Sequence, residues 1–339
     1  MALTCSLAAC GESGTSSGTQ PAQSSQPAQS SQASQSAAQT SGGYQPEDRI
    51  TCFAPYNVGG GVDVFGREMT AILSSTGITD VTWLYENVGG SSGRVGMTQI
   101  VEQHDGDETY ILPAATAYLT TAFLDPELGG YSYKDVTMLC KLCNDYRVYV
   151  TPAASGIKTM EELIETGKAR ELVSAISGVA GMGEYGMGAL SLAADIPIRC
   201  VPMDGSSAVT AAILGNQVDV AVMGIAECLP YVQDGTLNAL AVAAPERLED
   251  LPDVRTTAEC GLGDLIVNTS RGFIMPANVS EECKAYWIDV FRQLYESPEF
   301  DDYCKKNLNT KGWAEGDDYI AETEDELNRM LEVFENYGD

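Results

Sequence analysis

Short apolar runs alternate with segments of helical spacing along most of the chain from residue 47 onward. The apolar runs are rich in β-branched and aromatic residues, which favour strands. The strands predicted in this way cover residues 49–54, 81–85, 110–113, 136–143, 148–150, 172–176, 198–201, 218–223 and 237–243. Helical patterns lie between them, the first at residues 62–74. This alternation is typical of βαβ units, so the sequence predicts an α/β fold in which a mainly parallel sheet is flanked by helices.

The alternating region is too long for one doubly wound domain. We therefore expect two lobes with a ligand cleft between them. Lobe 1 would comprise residues 46–148 and 268–339, and lobe 2 would comprise residues 149–267. The two C-terminal helices, near 281–296 and 319–336, are expected to pack on lobe 1.

The first 45 residues differ in composition from the rest of the chain. Residues 7–10, Leu-Ala-Ala-Cys, resemble a bacterial lipobox, so residues 1–10 are expected to be a truncated lipoprotein signal with Cys10 as the lipidated residue. Residues 11–45 consist mainly of Ser, Gln, Ala, Thr and Gly. Such a segment cannot bury enough surface to offset its ordering entropy, which predicts a disordered tether. We expect an extracytoplasmic protein anchored by lipid to the outer face of the cell membrane.

The charge balance narrows the range of partners. Asp and Glu number 48 against 19 Lys and Arg, which gives a formal net charge of −29. A phosphate backbone would be repelled, and this argues against nucleic acid. His104 is the single histidine, so a metal site built on two imidazoles is excluded. We expect neither a metal nor a cofactor.

Ten cysteines need an interpretation in an exported protein, and two of them, Cys5 and Cys10, fall in the signal. The eight in the body are Cys52, Cys140, Cys143, Cys200, Cys228, Cys260, Cys283 and Cys304. They are scattered, and several lie in strand-like runs where a free cysteine packs as a small apolar side chain. We favour structural thiols, while the even count leaves disulfides open.

A glycine loop between the first strand and the first helix suits a carboxylate ligand. Gly59, Gly60 and Gly61 let the backbone approach a ligand closely, and the helix start behind them presents free N–H groups and the positive end of a dipole. The loop is not a P-loop, because no Gly-Lys-Ser/Thr follows. Asp63 is favoured as the cap of this helix, with direct ligand contact as the alternative.

A second glycine loop allows a different function. Residues 181–186, Gly-Met-Gly-Glu-Tyr-Gly, match GxGxxG after a predicted strand, and Asp204 lies near the place where a ribose-binding acid is expected. An enzyme that binds a nucleotide cofactor is therefore one alternative. Residues 177–180 lengthen the loop before the first glycine, and no pair of nucleophile and base emerges. We expect a binding protein and not an enzyme.

Eight segments, taken in chain order, resemble the motifs of the extracytoplasmic receptors of tripartite tricarboxylate transporters, also called Bug-type receptors. The first combines Gly-Gly-Gly-Val-Asp at residues 59–63 with Arg67, and the last contains Leu-Pro-Asp-Val at residues 251–254. The segments are residues 50–67, 86–96, 105–112, 158–164, 202–206, 213–219, 231–242 and 251–261. Their order and spacing make the resemblance specific.

The resemblance implies a two-lobed, periplasmic-binding-protein-like fold of type II that closes on a small organic acid between its lobes. In such receptors backbone groups, hydroxyls and water at the starts of helices hold the ligand carboxylate. The ligand-binding candidates carried onto this chain are Tyr56, Gly60, Gly61, Asp63, Ala115, Thr116, Ser177, Gly178, Gly181, Met182, Gly205, Ser206 and Gly224. The resemblance also implies delivery of the ligand to integral membrane permease subunits by a monomer. A surface lipoprotein that senses a ligand without importing it is the other alternative.

Three residues are candidates for ligand specificity. Glu184 lies where the family often has Ser-Thr-Pro-His, and Met203 and Asp204 replace the Tyr-Lys of the usual motif. A lost lysine and two added acids favour a monocarboxylate or an amino-acid-like ligand over a tricarboxylate. Arg271 lies in a segment where some members have an arginine near the cleft.

Overall fold

The computed structural model describes residues 43–124, 129–177, 179 and 181–337. The predicted lipoprotein signal with Cys10 and residues 11–42 of the predicted tether lie outside these ranges, as does Gly178. No helix within the ranges combines the length and the apolar character needed to cross a membrane.

Strands and helices alternate through the described chain. The strands are β1 Arg49–Ala54, β2 Thr82–Asn87, β3 Tyr110–Ala115, β4 Val136–Pro152, β5 Leu172–Ile176, β6 Ile198–Pro202, β7 Ala221–Gly224, β8 Leu237–Ala243, β9 Asn268–Pro276 and β10 Thr310–Glu315. The helices are α1 Gly61–Thr76, α2 Arg94–Gln103, α3 Thr116–Leu124, α4 Met160–Ala169, α5 Met182–Ala194, α6 Ser206–Leu214, α7 Ile225–Gln233, α8 Glu281–Glu296, α9 Pro298–Asn307 and α10 Gly316–Asn336. The predicted α/β class is confirmed.

The main sheet has the strand order β10-β4-β9-β3-β1-β2. β1 pairs in parallel with β2 and β3, whereas β9 is antiparallel to both β3 and β4, and β10 is antiparallel to β4. It follows that β1, β2, β3 and β4 run in one direction and β9 and β10 in the other, with β9 separating β3 from β4. β7 and β8 pair antiparallel with the end of β4, and β5 and β6 form a parallel pair.

β4 corrects the expected pattern of strands. Residues 136–143 and 148–150 were predicted as separate strands, but the structure has one strand of 17 residues that includes them both. Its first part pairs with β9 and β10, and its last part, residues 147–152, pairs with β7 and β8. The polar residues between the two apolar runs resemble a loop in the sequence, yet they continue the ladder and project from the two faces of the strand.

The C-terminal segment contains two elements that the apolar pattern did not predict, α9 and β10. β10, Thr-Lys-Gly-Trp-Ala-Glu, has no alternation of apolar and polar residues, and it forms because β4 offers an edge for pairing. α9 begins with Pro298 after the cap Ser297, whose hydroxyl oxygen accepts a hydrogen bond from the Phe300 N–H at 3.2 Å.

The β4 transition is the point near residue 147 where the partners of β4 change from β9 and β10 to β7 and β8. The apolar cores lie on the two sides of this transition. One core surrounds Trp287, Phe273 and Phe291, the last two rings being stacked 4.1 Å apart, and another surrounds Tyr149 and Leu190. Each contains fully buried side chains, so each has its own source of hydrophobic stabilisation.

α10 packs more widely than expected. The sequence placed it on lobe 1, and α10 does contact β4, β10 and α3, but its C-terminal end also contacts α5. The Tyr337 hydroxyl just beyond it donates to the Ile198 carbonyl oxygen at 2.6 Å, and Gly188 of α5 leaves room for Val333 and Tyr337. The helix therefore joins elements from both sides of the β4 transition.

Candidate functional site

A polar cavity of about 240 Å³ lies where β4, β5, β7 and β9 meet the starts of α5 and α6. Its polar lining residues are Asp145, Arg147, Ser177, Ser206, Glu227 and Arg271. Four of the residues predicted from the sequence line it: Ser177, Met182, Ser206 and Arg271. The structure thus brings together residues that lie up to 126 positions apart in the chain (from 145 to 271).

Strand geometry explains how the charged residues reach the cavity. Side chains alternate along a strand, so Asp145 and Arg147 of β4 project to the same face. β9 lies beside β4 with Thr269 opposite Asp145, and Arg271 is two residues further along β9. The Arg147 Nη2 donates to the Thr269 hydroxyl oxygen at 3.0 Å, which fixes the arginine against β9.

Two guanidinium groups share one nearby carboxylate in this cavity. The Asp145 Oδ2 lies 3.7 Å from the Arg147 Nη2 and 4.0 Å from the Arg271 Nη2. Both arginine side chains are only 18% exposed, so water screens them poorly. The Arg147 Nε is buried and has no hydrogen-bond partner in the described part of the chain. A buried donor without a partner costs free energy.

The second acid of the cavity belongs to α7. The Gly224 N–H donates to the Glu227 Oε2 at 3.3 Å, which places the Glu227 carboxylate at the start of the helix. Gly224 also leaves room for Arg147, because a Cβ atom at Gly224 would lie 2.9 Å from the Arg147 Nη1. A side chain at this position would therefore force the Arg147 guanidinium group to shift from its place in the cavity.

Backbone amides add to the positive character of the site. Gly181 and Gly205 are the N-cap residues of α5 and α6, and neither helix has a side-chain cap. Met182 and Ser206, the first residues of these helices, line the cavity. Uncapped N–H groups and the positive ends of the helix dipoles stabilise an anion at such a position.

The candidates from the first glycine loop lie outside the cavity lining. Gly60 is the N-cap of α1, and Gly61 adjoins the site because a Cβ atom there would lie 3.5 Å from the Arg271 Nη2. The Tyr56 hydroxyl donates to the Ser92 carbonyl oxygen at 3.2 Å, and burial raises its pKa. Ala115 is the buried last residue of β3.

Asp63 and Thr116 have their polar groups committed to the protein. Asp63 accepts hydrogen bonds from the Gly59 N–H at 2.9 Å, the Arg67 Nε at 2.8 Å and the Asn87 Nδ2 at 3.0 Å. The N-cap of α1 is Gly60, so the expectation that Asp63 caps the helix is wrong; Asp63 lies in the first turn and reaches back to the loop. Desolvation is the largest influence on the pKa of Asp63 and raises it. The three hydrogen bonds and the charge of Arg67 together outweigh desolvation, so the pKa of Asp63 lies below its usual value.

Thr116 connects the first half of the sheet to α10. Its hydroxyl forms a hydrogen bond with the Ser270 hydroxyl and donates to the Glu326 Oε2 at 3.1 Å. Ser270 precedes Arg271, so this buried group of three side chains lies directly behind the arginine of the cavity.

The expected specificity residues Glu184 and Asp204 do not line the cavity. Asp204 is exposed in the turn after β6, and Glu184 lies near Cys200 and Tyr337, whose pKa values are raised mainly by burial and further by the charge of Glu184. The acids that do line the cavity are Asp145 and Glu227, which the sequence did not single out. The signal available for Asp145 and Arg147 was a pair of charged residues between two apolar runs of one strand.

The GxGxxG segment has a packing role in the structure. A Cβ atom at Gly183 would lie 3.3 Å from the Ile176 Cβ, and one at Gly186 would lie 3.0 Å from the Val222 Cγ1. The Gly186 carbonyl oxygen also accepts a hydrogen bond from the Tyr149 hydroxyl at 2.6 Å. These glycines let α5 lie close against β5 and β7, which accounts for the motif without a dinucleotide.

Among the described residues, no group of three or more His, Cys, Asp and Glu is arranged to hold a metal ion.

Comparisons with known proteins point to one family. The family model described as "Tripartite tricarboxylate transporter family receptor" matches residues 75–338. Protein BugT of Bordetella pertussis is 23% identical over 235 residues, which cover 68% of this chain and 72% of that protein. A UPF0065 protein in the gbd 5′ region of Cupriavidus necator is 25% identical over 304 residues, covering 87% and 90% of the two chains.

Solved structures share the fold at low sequence identity. A TctC solute-binding protein from Polaromonas has a TM-score of 0.74 at 19% identity, covering 85% of this chain and 98% of that one. MatC from Rhodopseudomonas palustris, solved with bound malate, has a TM-score of 0.68 at 20% identity and covers 84% and 98%. Another R. palustris protein, solved with adipate, has a TM-score of 0.70 at 17% identity and covers 84% and 96%.

The fold is the one shared by periplasmic binding proteins of the TctC type. The chain belongs to the tripartite tricarboxylate transporter receptor family, a family of extracytoplasmic solute-binding receptors and not of enzymes. The resemblance to Bug-type receptors seen in the sequence motifs is thereby confirmed.

Proposed function

We propose that this protein captures a small carboxylate-bearing metabolite outside the cytoplasm and delivers it to the membrane permease subunits of a tripartite tricarboxylate-type transporter. The observation that carries the proposal is the cavity in which Arg147 and Arg271 meet the uncapped starts of α5 and α6. Each of these groups favours an anion, because guanidinium groups and free N–H groups at helix starts both donate hydrogen bonds to a carboxylate.

The charges of the cavity also limit the ligand. Asp145 and Glu227 line the same space as the two arginines, so the negative and positive charges of the four side chains balance. A tricarboxylate would bring two or three negative charges close to these acids, which is unfavourable in a poorly screened site. We infer a ligand with one or two carboxylates or an amino-acid-like ligand, whose ammonium group would lie near an acid. Malate and adipate, found in two relatives of known structure, belong to this size class.

Ligand capture would proceed by closure of two lobes, residues 46–148 with 268–339 and residues 149–267. The division is supported by the position of the site, because Arg271 comes from the first set and Ser177 and Ser206 come from the second. A ligand that contacts both sets binds the closed arrangement more tightly and shifts the population toward it.

Anchoring by a lipid on Cys10 would keep the receptor at the membrane, with residues 11–45 as the tether. The lipobox-like residues 7–10 support this part of the proposal. The test is expression of the full chain and of Cys10→Ala in a bacterial host fed a labelled fatty acid. Label on the wild type that is absent from Cys10→Ala supports the anchor, and an unlabelled wild type refutes it.

The binding site is tested by calorimetry with four ligands: malate, adipate, glutamate and citrate. We expect micromolar binding of at least one of the first three and weaker binding of citrate. Arg271→Gln and Arg147→Gln should each lower the affinity for the preferred ligand about 10–100-fold, since a charge-assisted hydrogen bond contributes about 1.5–3 kcal/mol.

The matched control is Arg199→Gln, because Arg199 is 55% exposed and pairs with Glu171 away from the cavity. Its ligand affinity should equal that of the wild type. Citrate bound most tightly with no binding of glutamate would overturn the inferred ligand class. Unchanged affinity in both cavity variants would overturn the assignment of the site.

A further inference from the structure

A second polar cavity lies behind the ligand site, on the other face of the sheet. It has a volume of about 170 Å³, and α10 supplies one of its walls. Side chains alternate along a strand, so Ser270 of β9 lines this cavity while its neighbour Arg271 lines the ligand cavity. In the same way Asn144 and Asp145 of β4 line opposite cavities. The thickness of one sheet therefore separates the two spaces.

Glu326 of α10 is the acid buried in this second cavity. Its side chain is 7% exposed, and its Oε1 has no hydrogen-bond partner in the described part of the chain. Its Oε2 accepts a hydrogen bond from the Thr116 hydroxyl at 3.1 Å, and the same Thr116 oxygen accepts one from the Ser270 N–H at 3.3 Å. A single hydroxyl group thus lies between the Glu326 carboxyl and the backbone of β9 beside Arg271.

The charges around Glu326 leave this acid without a cation of its own. Among the described residues that line the cavity, the cations are Lys141 of β4 and Arg329 of α10. Lys141 forms an ion pair with Glu322, and Arg329 forms one with Asp325. Each cation is therefore already paired with another acid of α10, and Glu326 is the third acid of a cavity that holds two cations.

The remaining groups that face Glu326 do not supply a charge near neutral pH. The titratable ones in the described chain are the phenols of Tyr319, Tyr146 and Tyr185, from α10, β4 and α5. β9 and α3 face Glu326 with side chains that do not titrate, those of Asn268, Ser270 and Thr116. The charged groups beyond β9 are those of the ligand cavity.

We infer that Glu326 takes up a proton when the receptor captures its carboxylate ligand, so that the affinity for this ligand falls as the pH rises. The ligand brings negative charge to Arg271 on one face of β9, and an ionised Glu326 places negative charge behind the other face. Two like charges across one sheet repel each other, and protonation of Glu326 removes the repulsion. The inference rests on the proposed function, because it takes the cavity of Arg271 to be the carboxylate site.

The effect falls near neutral pH. Burial raises the pKa of Glu326 from 4.5 to about 7, so the free receptor contains both the protonated and the ionised form there. The bound carboxylate should raise this pKa further, which means that binding takes up part of a proton. The affinity is then highest at low pH and declines as the pH rises through the two pKa values. We expect a decline of about 3–6-fold between about pH 6.5 and pH 8.5, from a further rise of about 0.5–1 in the pKa.

The test is calorimetry with whichever of malate, adipate and glutamate binds most tightly, at about pH 6.5, 7.5 and 8.5 and in two buffers of different ionisation enthalpy. The wild type should show the decline in affinity and take up about 0.3–0.5 proton near pH 7.5. Glu326→Gln should bind with the same affinity at each pH, close to the wild-type value at pH 6.5, and should take up no proton.

The matched control is Glu335→Gln, which removes the same charge from an exposed position on α10 and should keep the wild-type pH profile. A wild type whose affinity does not change with pH would overturn the inference. So would a Glu326→Gln variant that keeps the wild-type decline, because another group would then titrate. A variant that loses affinity equally at every pH would show a structural role only and would also overturn it.

A measurement without ligand separates this inference from the proposed function. The carboxyl signals of glutamate labelled with ¹³C are titrated by NMR, and the Glu326 signal is identified by its loss in Glu326→Gln. Arg271→Gln should raise the pKa of Glu326, because a positive charge is lost across the sheet, whereas Arg199→Gln at an exposed position should leave it unchanged. An unchanged pKa in Arg271→Gln overturns the inference. If no ligand of the panel binds, the proposed function fails, and this titration alone supports or overturns the coupling of Glu326 to Arg271.

Discussion

Glu326 offers the sharpest test of the physical reasoning, because a carboxyl group is buried where α10 meets the sheet. It is 7% exposed, its Oε2 accepts from the Thr116 hydroxyl, and its Oε1 has no partner in the described part of the chain. Burial raises the pKa of Glu326 from 4.5 to about 7, against the lowering effects of Thr116, Arg329 and Lys141, while Glu322 raises it further. The perturbation is Glu326→Gln, which keeps the shape of the protonated acid.

The magnitude follows from linkage between protonation and folding. At about 1.4 kcal/mol per pH unit, a rise from 4.5 to about 7 corresponds to about 3 kcal/mol. The folded state favours the neutral acid, so this stabilisation is fully present below pH 4.5 and is lost as the pH rises through about 7. Glutamine does not titrate, so the variant keeps this stabilisation as the pH rises. The variant should therefore be more stable than the wild type by less than about 1 kcal/mol near pH 5 and by about 3 kcal/mol near pH 8.

Urea unfolding followed by tryptophan fluorescence at the two pH values measures this difference. The control is Glu335→Gln, since Glu335 lies exposed on the same helix and should show no pH-dependent gain. A Glu326→Gln variant whose advantage is the same at both pH values would refute the reasoning, because the effect would then come from packing and not from the burial of a titrating group.

Two further predictions concern Gly272 of β9 and Asp63 of α1. Gly272→Ala should destabilise the protein by about 3 kcal/mol or more, because its Cβ would overlap the backbone of β4, 2.8 Å from the Lys141 Cα. Gly181→Ala, which has open space at that point, is the control, and equal thermal unfolding of the two variants would contradict the close approach of β9 to β4. Asp63→Ala should cost about 2–4 kcal/mol in urea unfolding, since the Gly59, Arg67 and Asn87 donors lose their acceptor; a loss below about 0.5 kcal/mol would show that water replaces the carboxylate.

Local patterns in the sequence were enough to place the starts of several helices. Gly60, Gly181, Gly205 and Gly224 each prove to be the residue before a helix, because a glycine turn followed by apolar periodicity is a local signal. The motif that contains Arg271 likewise led to a strand beside the cavity. These features depend on neighbours within a few residues, and the sequence displays them directly.

The remaining site residues depend on contacts between distant parts of the chain. Asp145 and Arg147 resemble a break between two strands until β9, more than 120 residues later, supplies the Thr269 hydroxyl and Arg271. Glu184 and Asp204 resemble specificity residues because they differ from the family motif, but side-chain placement decides what a residue contacts, and neither residue lines the cavity. No local pattern contains that information.

The continuity of β4 has a mechanical consequence. A strand of 17 residues that pairs at one end with β9 and at the other with β7 and β8 contains no flexible loop to act as a pivot. Any motion that brings Arg271 toward the starts of α5 and α6 must bend or twist this strand, and the irregularities in its register near residues 138–143 and 149–150 are the places where a strand yields most easily. The closure proposed above would therefore bend a continuous strand and would not turn about a hinge loop.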